Sequence, residues 1–130
     1  MPYTPIVPKG SPPPLAPYSP GVRVANAAGS TIYVSGTLAI DKDGKTVGVG
    51  DAKAQTRFIL ESIRSVVEAA GGSLRDVAFN QIFLKDLKDY AAMNEAYREF
   101  FPAQPPARYC IRADLVKPEF RVEIVAVAHL

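Results

Sequence analysis

The run from Arg121 to His129 admits few folds, because it is β-rich and apolar on both parities. Side chains alternate across a strand, so Val122, Ile124, Ala126 and Ala128 fall on one side, while Val125 and Val127 share the other with Glu123. An antiparallel strand with a wet face would alternate apolar and polar positions cleanly. Both faces here need cover, and the rest of the chain offers only two helices. One is predicted from Asp51 as N-cap to Gly71-Gly72, because Ala54, Phe58, Ile59, Ile63, Val66, Val67 and Ala70 recur at helical spacing. A second is predicted from near Asp89 to Phe101, with Ala92, Met93, Ala96, Tyr97 and Phe100 inward and Pro102 ending it. Two helices cover one face of a sheet. Another copy of the same chain is the simplest cover for the other.

The remaining elements follow from local signals. Eight of the 12 prolines lie in the first 20 residues, so this arm can be neither helix nor central strand and is expected to run as extended loop. Leu15, Ala16 and Tyr18 give its end something to pack. The runs Val22 to Ala28 and Thr31 to Ile40 flank Gly29-Ser30, which reads as a hairpin turn. Asp41-Lys42-Asp43-Gly44 makes a further turn, followed by a short strand at Thr46 to Val49. Val77 to Leu84 reads as a strand, and the last two strands are joined through a Lys117-Pro118 turn. The order β-β-β-α-β-α-β-β describes an α+β fold, a mixed sheet of about six strands with two helices on one face. At 130 residues one domain is expected, spanning 1–130 with the proline-rich arm at 1–20.

Composition excludes several classes of function. Fifteen basic against 13 acidic residues give a net charge of +2, with no basic run, so there is no electrostatic case for nucleic acid. A single Cys forms no intramolecular disulfide, and with one His it is poor material for a zinc site, so no metal is expected. The start, MPYTPIVPKG, lacks signal-peptide character, and no apolar run reaches the roughly 20 residues that span a bilayer. A cytoplasmic protein without membrane association is expected.

The stretch Pro105-Pro106-Ala107-Arg108-Tyr109-Cys110-Ile111 launches a strand with a guanidinium and the only thiol on one side. Arg108 and Cys110 alternate with Ala107, Tyr109 and Ile111. A guanidinium fork suits a small carboxylate, and Glu123, whose apolar neighbours should raise its pKa, suits proton transfer to or from that ligand. Placing Tyr33, Ser35, Thr37, Arg108, Cys110 and Glu123 on the helix-free face puts this chemistry at a subunit interface. Taken singly, the same residues have plainer readings. Cys110 is a buried small hydrophobe, Glu123 half of an interfacial ion pair with Arg108, Asn94 a helix-surface amide, Arg112 and Arg121 solvated strand residues, and His129 a surface or packing residue.

Ala16-Pro17-Tyr18 with Gly21, Val34-Ser35-Gly36, Gln55-Thr56-Arg57, Val67-Glu68-Ala69-Ala70-Gly71, Tyr90-Ala91-Ala92-Met93-Asn94, Pro106-Ala107-Arg108-Tyr109-Cys110 and Val122-Glu123-Ile124 carry a resemblance. Over nearly its whole length the chain resembles the reactive intermediate deaminases, the Rid family also labelled YjgF or L-PSP. Within that family it is most similar to the pyrimidine-utilisation branch, RutC, through Val34-Ser35-Gly36-Thr37-Leu38, Gly50-Asp51-Ala52, Ala107-Arg108-Tyr109-Cys110-Ile111, Leu115-Val116-Lys117-Pro118 and Val127-Ala128-His129.

The resemblance implies a chorismate-mutase-like (YjgF-type) fold, a homotrimer with sites between subunits, and active-site residues at Tyr18, Ser35, Asn94, Arg108, Cys110 and Glu123. It also implies cofactor-independent hydrolysis of a small enamine or imine acid. The substrate would be 3-aminoacrylate, giving malonic semialdehyde and ammonia, or 2-aminoacrylate or 2-iminopropionate, giving pyruvate and ammonia. Arg108 and the backbone N–H of Cys110 would hold the substrate carboxylate beside Asn94. Glu123 would serve the water step, with Ser35 and Tyr18 orienting water or relaying a proton. Two other classes stay open: a trimer that senses an oxo acid or binds protein without turnover, and an endoribonuclease. For the latter, Arg108-Tyr109-Cys110-Ile111-Arg112 is too brief for a basic, aromatic RNA platform.

Overall fold

The computed structural model describes residues 2–130. Six strands form one mixed sheet: β1 (Thr4–Ile6), β2 (Gly21–Asn26), β3 (Gly29–Thr37), β4 (Val77–Leu84), β5 (Ala107–Arg112) and β6 (Val122–His129). Two helices, α1 (Ala52–Ala69) and α2 (Tyr90–Phe100), interrupt them. The strand order is β1-β2-β3-β6-β4-β5, antiparallel throughout except for the parallel pair β4–β5. The α+β order with two helices is as the sequence predicts, but three local expectations change.

The arm is not wholly loop, because Thr4–Ile6 adds to the sheet edge beside β2. Pro5 sits opposite Val22 there, and an edge strand is where a missing N–H is tolerated. The expected strand at Thr46–Val49 is absent; a single bridge joins Ile40 to Thr46 across a turn in which the Asp41 carboxylate accepts from the N–H groups of Asp43 and Lys45. The β2–β3 hairpin turns at Ala27-Ala28 rather than Gly29-Ser30, since Asn26 pairs with Gly29 and Ala25 with Ser30. The Asn26 side chain accepts from the Ala28 N–H, the local bond that favours Asn in turns.

Helix α1 starts and stops where predicted. The Asp51 carboxylate accepts from the Ala54 N–H at 3.0 Å. At the other end Gly71 adopts φ 93°, and the N–H groups of Gly71 and Gly72 return to the carbonyls of Glu68 and Val67. Helix α2 lies alongside, tied across the surface by Lys53–Glu95 and Arg57–Glu99. Asp89, at its N-cap position, makes no side-chain cap bond; its carboxylate accepts from Arg121 Nε at 3.0 Å instead. Arg121 is therefore paired, not a solvated strand residue.

Both helices cover one face of the sheet. Ile59, Leu60, Ile63 and Val67 of α1, with Met93 and Tyr97 of α2, pack on Ile32, Val34, Ile82, Leu84, Val122, Ile124, Ala126 and Ala128. Gln55, fully buried on α1, fixes the loops at the helix start: its Nε2 donates to the carbonyls of Gly48 and Glu119, and its Oε1 accepts from the Arg121 N–H. The opposite face lies open. Tyr33, Tyr109 and Ile111 are 49%, 42% and 48% exposed, and Phe79 and Phe83 stand edge-on to Tyr109. Among the described residues no helix is long and apolar enough to cross a membrane.

Candidate functional site

Arg108 and Cys110 do not share a face with Glu123, contrary to expectation. In the parallel pairing of β5 with β4, Arg108 lies opposite Asn80 and Cys110 opposite Ile82, both buried under the helices. Glu123 lies opposite Phe83, whose ring contacts Tyr109 on the open face. Alternation fixes which residues share a side but not which side the helices take. Thr37 also moves: a register shift after Val34 brings it opposite Ile124, on the helix side. Tyr33 is on the open face as expected.

The guanidinium of Arg108 is held by α2. Nη2 donates to the Asn94 Oδ1 at 2.8 Å and to the Tyr90 hydroxyl at 3.2 Å, and Nη1 lies 3.8 Å from the Met93 sulfur. The ring of Tyr97 lies beneath it, 4.8 Å from the guanidinium carbon, and Tyr90 flanks it at 5.8 Å. Residues 90, 93, 94 and 97 repeat at helical spacing, so one face of α2 supplies every one of these contacts. Pro105 and Pro106, with Tyr90, Asn94, Tyr97 and Arg108, line the concavity in which the guanidinium lies. Asn94 is thus a ligand of Arg108 rather than a free surface amide. Tyr90, Met93 and Tyr97 escape sequence reasoning, which reads Met93 and Tyr97 only as core; the signal for them is their helical register with Asn94.

Cys110, half-buried beside this group, packs against the core. Burial pushes its thiol pKa up, outweighing the attraction of the Arg108 charge for the thiolate. A protonated thiol suits a wall better than a nucleophile.

Tyr18 and Ser35 lie together at the end of the proline-rich arm, and Glu123 lies next to Gly36, the residue after Ser35. Ser35 Oγ donates to the Ser19 carbonyl at 2.5 Å, and the Ser35 N–H donates to the Pro20 carbonyl, so the end of the proline-rich arm is buttoned onto β3. Tyr18 is exposed, its hydroxyl accepting from the Leu15 N–H at 3.4 Å. Tyr18 and Ser35 line a cavity roofed by Pro8 to Pro14 and floored by Phe58, Ser62 and Val66 of α1. Gly36 lies in the β3 bulge directly against the Glu123 carboxylate, leaving no room for a β-carbon. Burial raises the pKa of Glu123.

Ser35 on β3 and Glu123 on β6 are separated from Arg108 on β5, and the concavity lined by Tyr18 and Ser35 shares no residue with that of Arg108. At about 4.8 Å per strand, β5 lies roughly 14 Å from β3 and roughly 10 Å from β6, and Arg108 and Glu123 also take opposite faces of the sheet, so one small acid does not bridge them within one chain. Among the described residues no group of His, Cys, Asp and Glu is arranged to hold a metal ion. The His129 ring bonds Thr31 Oγ1 at 3.1 Å, at the open edge of β3 and β6.

The sequence pattern described as Endoribonuclease L-PSP matches residues 9–130. The chain belongs to the L-PSP family. Among L-PSP proteins, the 3-aminoacrylate deaminase RutC of Acinetobacter baylyi is 52% identical over 130 residues, covering all of both chains. This assigns the chain to the Rid or YjgF proteins and, within them, to the RutC branch. The same L-PSP fold recurs in the YjgF gene product of E. coli, 30% identical with a TM-score of 0.83 over 97% of this chain and 98% of that one. E. coli TdcF with bound serine is 28% identical with a TM-score of 0.84, covering 98% of each chain. RidA from the Antarctic bacterium Psychrobacter sp. PAMC 21119 is 32% identical with a TM-score of 0.85, over 98% of this chain and 99% of that one.

Proposed function

We propose that this chain hydrolyses a small enamine or imine acid, 3-aminoacrylate foremost, to an oxo acid and ammonia, without a cofactor, at sites that neighbouring copies build together in a trimer. The observation that carries the reading is the full-length 52% identity to the A. baylyi protein named 3-aminoacrylate deaminase RutC. The geometry agrees with the chemistry such a reaction needs.

A proton added to carbon 2 of 3-aminoacrylate and one lost from its amino nitrogen, exchanged through solvent, turn the enamine into its imine tautomer. Water then adds to carbon 3, and collapse of the carbinolamine expels ammonia and leaves malonic semialdehyde; one water is consumed and one ammonia released. Arg108 anchors the carboxylate through charge-assisted hydrogen bonds worth roughly 1.5 to 3 kcal/mol. Glu123, with its raised pKa, takes the proton of the attacking water and returns it to the departing amine, a role that contributes about 100-fold to 10,000-fold. Ser35 and Tyr18 orient that water from the arm side, while Asn94 and Cys110 shape the carboxylate end.

These two groups are too far apart within one chain, and the open sheet face offers an apolar surface for another copy. A site made of Arg108 from one copy and Glu123 from the next meets both facts. The TdcF structure with bound serine favours a second reading, a trimer that binds small acids without turnover. Ammonia release from enzymatically generated aminoacrylate, above the uncatalysed rate, separates the two. Wild type is expected to accelerate it and Arg108→Ala to abolish the acceleration; binding of a small acid with no acceleration would leave the sensor.

A further inference from the structure

Asn80 stands alone as a polar side chain in the apolar helix-side face of β4, between Ile82 and Leu84 on one side and Val77 on the other. It is fully buried. Its Nδ2 donates to the Tyr97 hydroxyl at 2.8 Å, and its Oδ1 has no partner among the described residues. A buried amide satisfied at only one end costs stability that an apolar side chain of similar volume would not. Packing therefore gives no reason for an asparagine here.

What Asn80 does is tether a ring. Tyr97 is 6% exposed, its hydroxyl held by Asn80 and its ring packed against Phe101 with centroids 4.8 Å apart. The same ring supports the guanidinium of Arg108, at 4.8 Å. Asn94 and Met93 fix rotation of the guanidinium within its plane, and the ring fixes the plane itself. An arginine without such a floor samples many rotamers, and each costs affinity when a ligand selects one.

We propose that Tyr97, locked by Asn80, is a positioning residue that presents the Arg108 guanidinium to the substrate carboxylate. The proposal rests on Arg108 being the carboxylate anchor.

The test combines steady-state kinetics on aminoacrylate generated in situ with NMR of the Arg108 Nε–H, in wild type, Tyr97→Leu, the double variant Asn80→Leu with Tyr97→Phe, and Arg108→Ala. The double variant removes both ends of one hydrogen bond and leaves no orphan, so it keeps the fold if Tyr97→Leu does not. Tyr97→Leu is expected to raise KM about tenfold with kcat within twofold, and to average out a distinct Arg108 Nε–H signal. The double variant should raise KM by a smaller factor, about threefold, while melting no lower than wild type. A purely structural role would move the melting temperature and leave KM and the Arg108 signal alone. That result in folded Tyr97→Leu, or in the double variant, overturns the proposal. Wild-type kcat/KM in Arg108→Ala would instead remove the anchor on which it rests.

Discussion

Both protons of Arg108 Nη2 are engaged, one by Asn94 and one by the Tyr90 hydroxyl. A bidentate carboxylate takes two parallel N–H groups of a guanidinium, and either edge that can offer them includes Nη2. One of the two partners must then give way, and the Tyr90 hydroxyl makes the longer bond from an exposed side chain. Tyr90→Phe is accordingly expected to lower KM for the substrate by roughly threefold to tenfold, the worth of one neutral hydrogen bond no longer exchanged. Titration with a non-reacting oxo acid should show the same gain in affinity; an unchanged or weaker affinity would mean that the hydroxyl stays and contacts the ligand. Glu123 answers a different demand. Burial raises the pKa of its carboxyl, so folding favours the neutral acid more than the unfolded chain does. Its contribution to stability is complete below the ordinary carboxyl pKa and is lost as pH rises through the raised value. Glu123→Gln should therefore melt higher than wild type at pH 7, with the difference closing towards pH 4, while kcat falls at least about 100-fold. Thermal melts at the two pH values check the first half and ammonia release the second; a variant that melts lower at pH 7 and keeps its kcat would contradict both.

Among the elements, β3 carries the point at which strand geometry reaches the chemistry. Its bulge at Ser35-Gly36 leaves Gly36 against the Glu123 carboxylate, where a β-carbon would collide. The colliding group is the far end of a flexible side chain, so the fold can absorb the change by moving the carboxylate. Gly36→Ala is expected to lower kcat/KM at least about tenfold with melting shifted by only a few degrees, because displacement of a catalytic group by about 1 Å is costly where its removal from the core is not. Retained activity in Gly36→Ala would show that Glu123 needs no fixed position. The sequence made helix α1, strand β4 and the two-sided apolar character of β6 legible, because caps and periodicity are local. It also nominated six candidate side chains, through motif resemblance. The side that Arg108 and Cys110 take was not, since the parallel register of β5 on β4 is a long-range choice. Nor was the arm strand Thr4–Ile6, which the prolines disguised, or the Ala27-Ala28 turn, where pairing of Gly29 with Asn26 outweighed the turn preference of glycine.

At the scale of the molecule, the open sheet face bears on the proposal that neighbouring copies share a site. Tyr33, Tyr109 and Ile111 leave an apolar surface on the side without helices, and Glu123 and Arg108 face opposite sides of the sheet. An isolated chain would expose that surface, and on the proposed reading it would own two half-sites. In a closed ring each copy can lend Arg108 to one neighbour and Glu123 to the other. Arg108→Ala and Glu123→Gln should then each be inactive alone yet active when unfolded and refolded as a mixture. With random assembly, about one site in four draws an intact Arg108 from one variant and an intact Glu123 from the other. The mixture is therefore expected to recover about a quarter of wild-type turnover, and light scattering should give the mass of three chains before and after mixing. Sites contained within one chain recover nothing on mixing, because every chain in the mixture lacks one of the two groups. A trimer that recovers no activity would thus keep the assembly and remove the shared site, whereas a stable monomer with wild-type turnover would remove both.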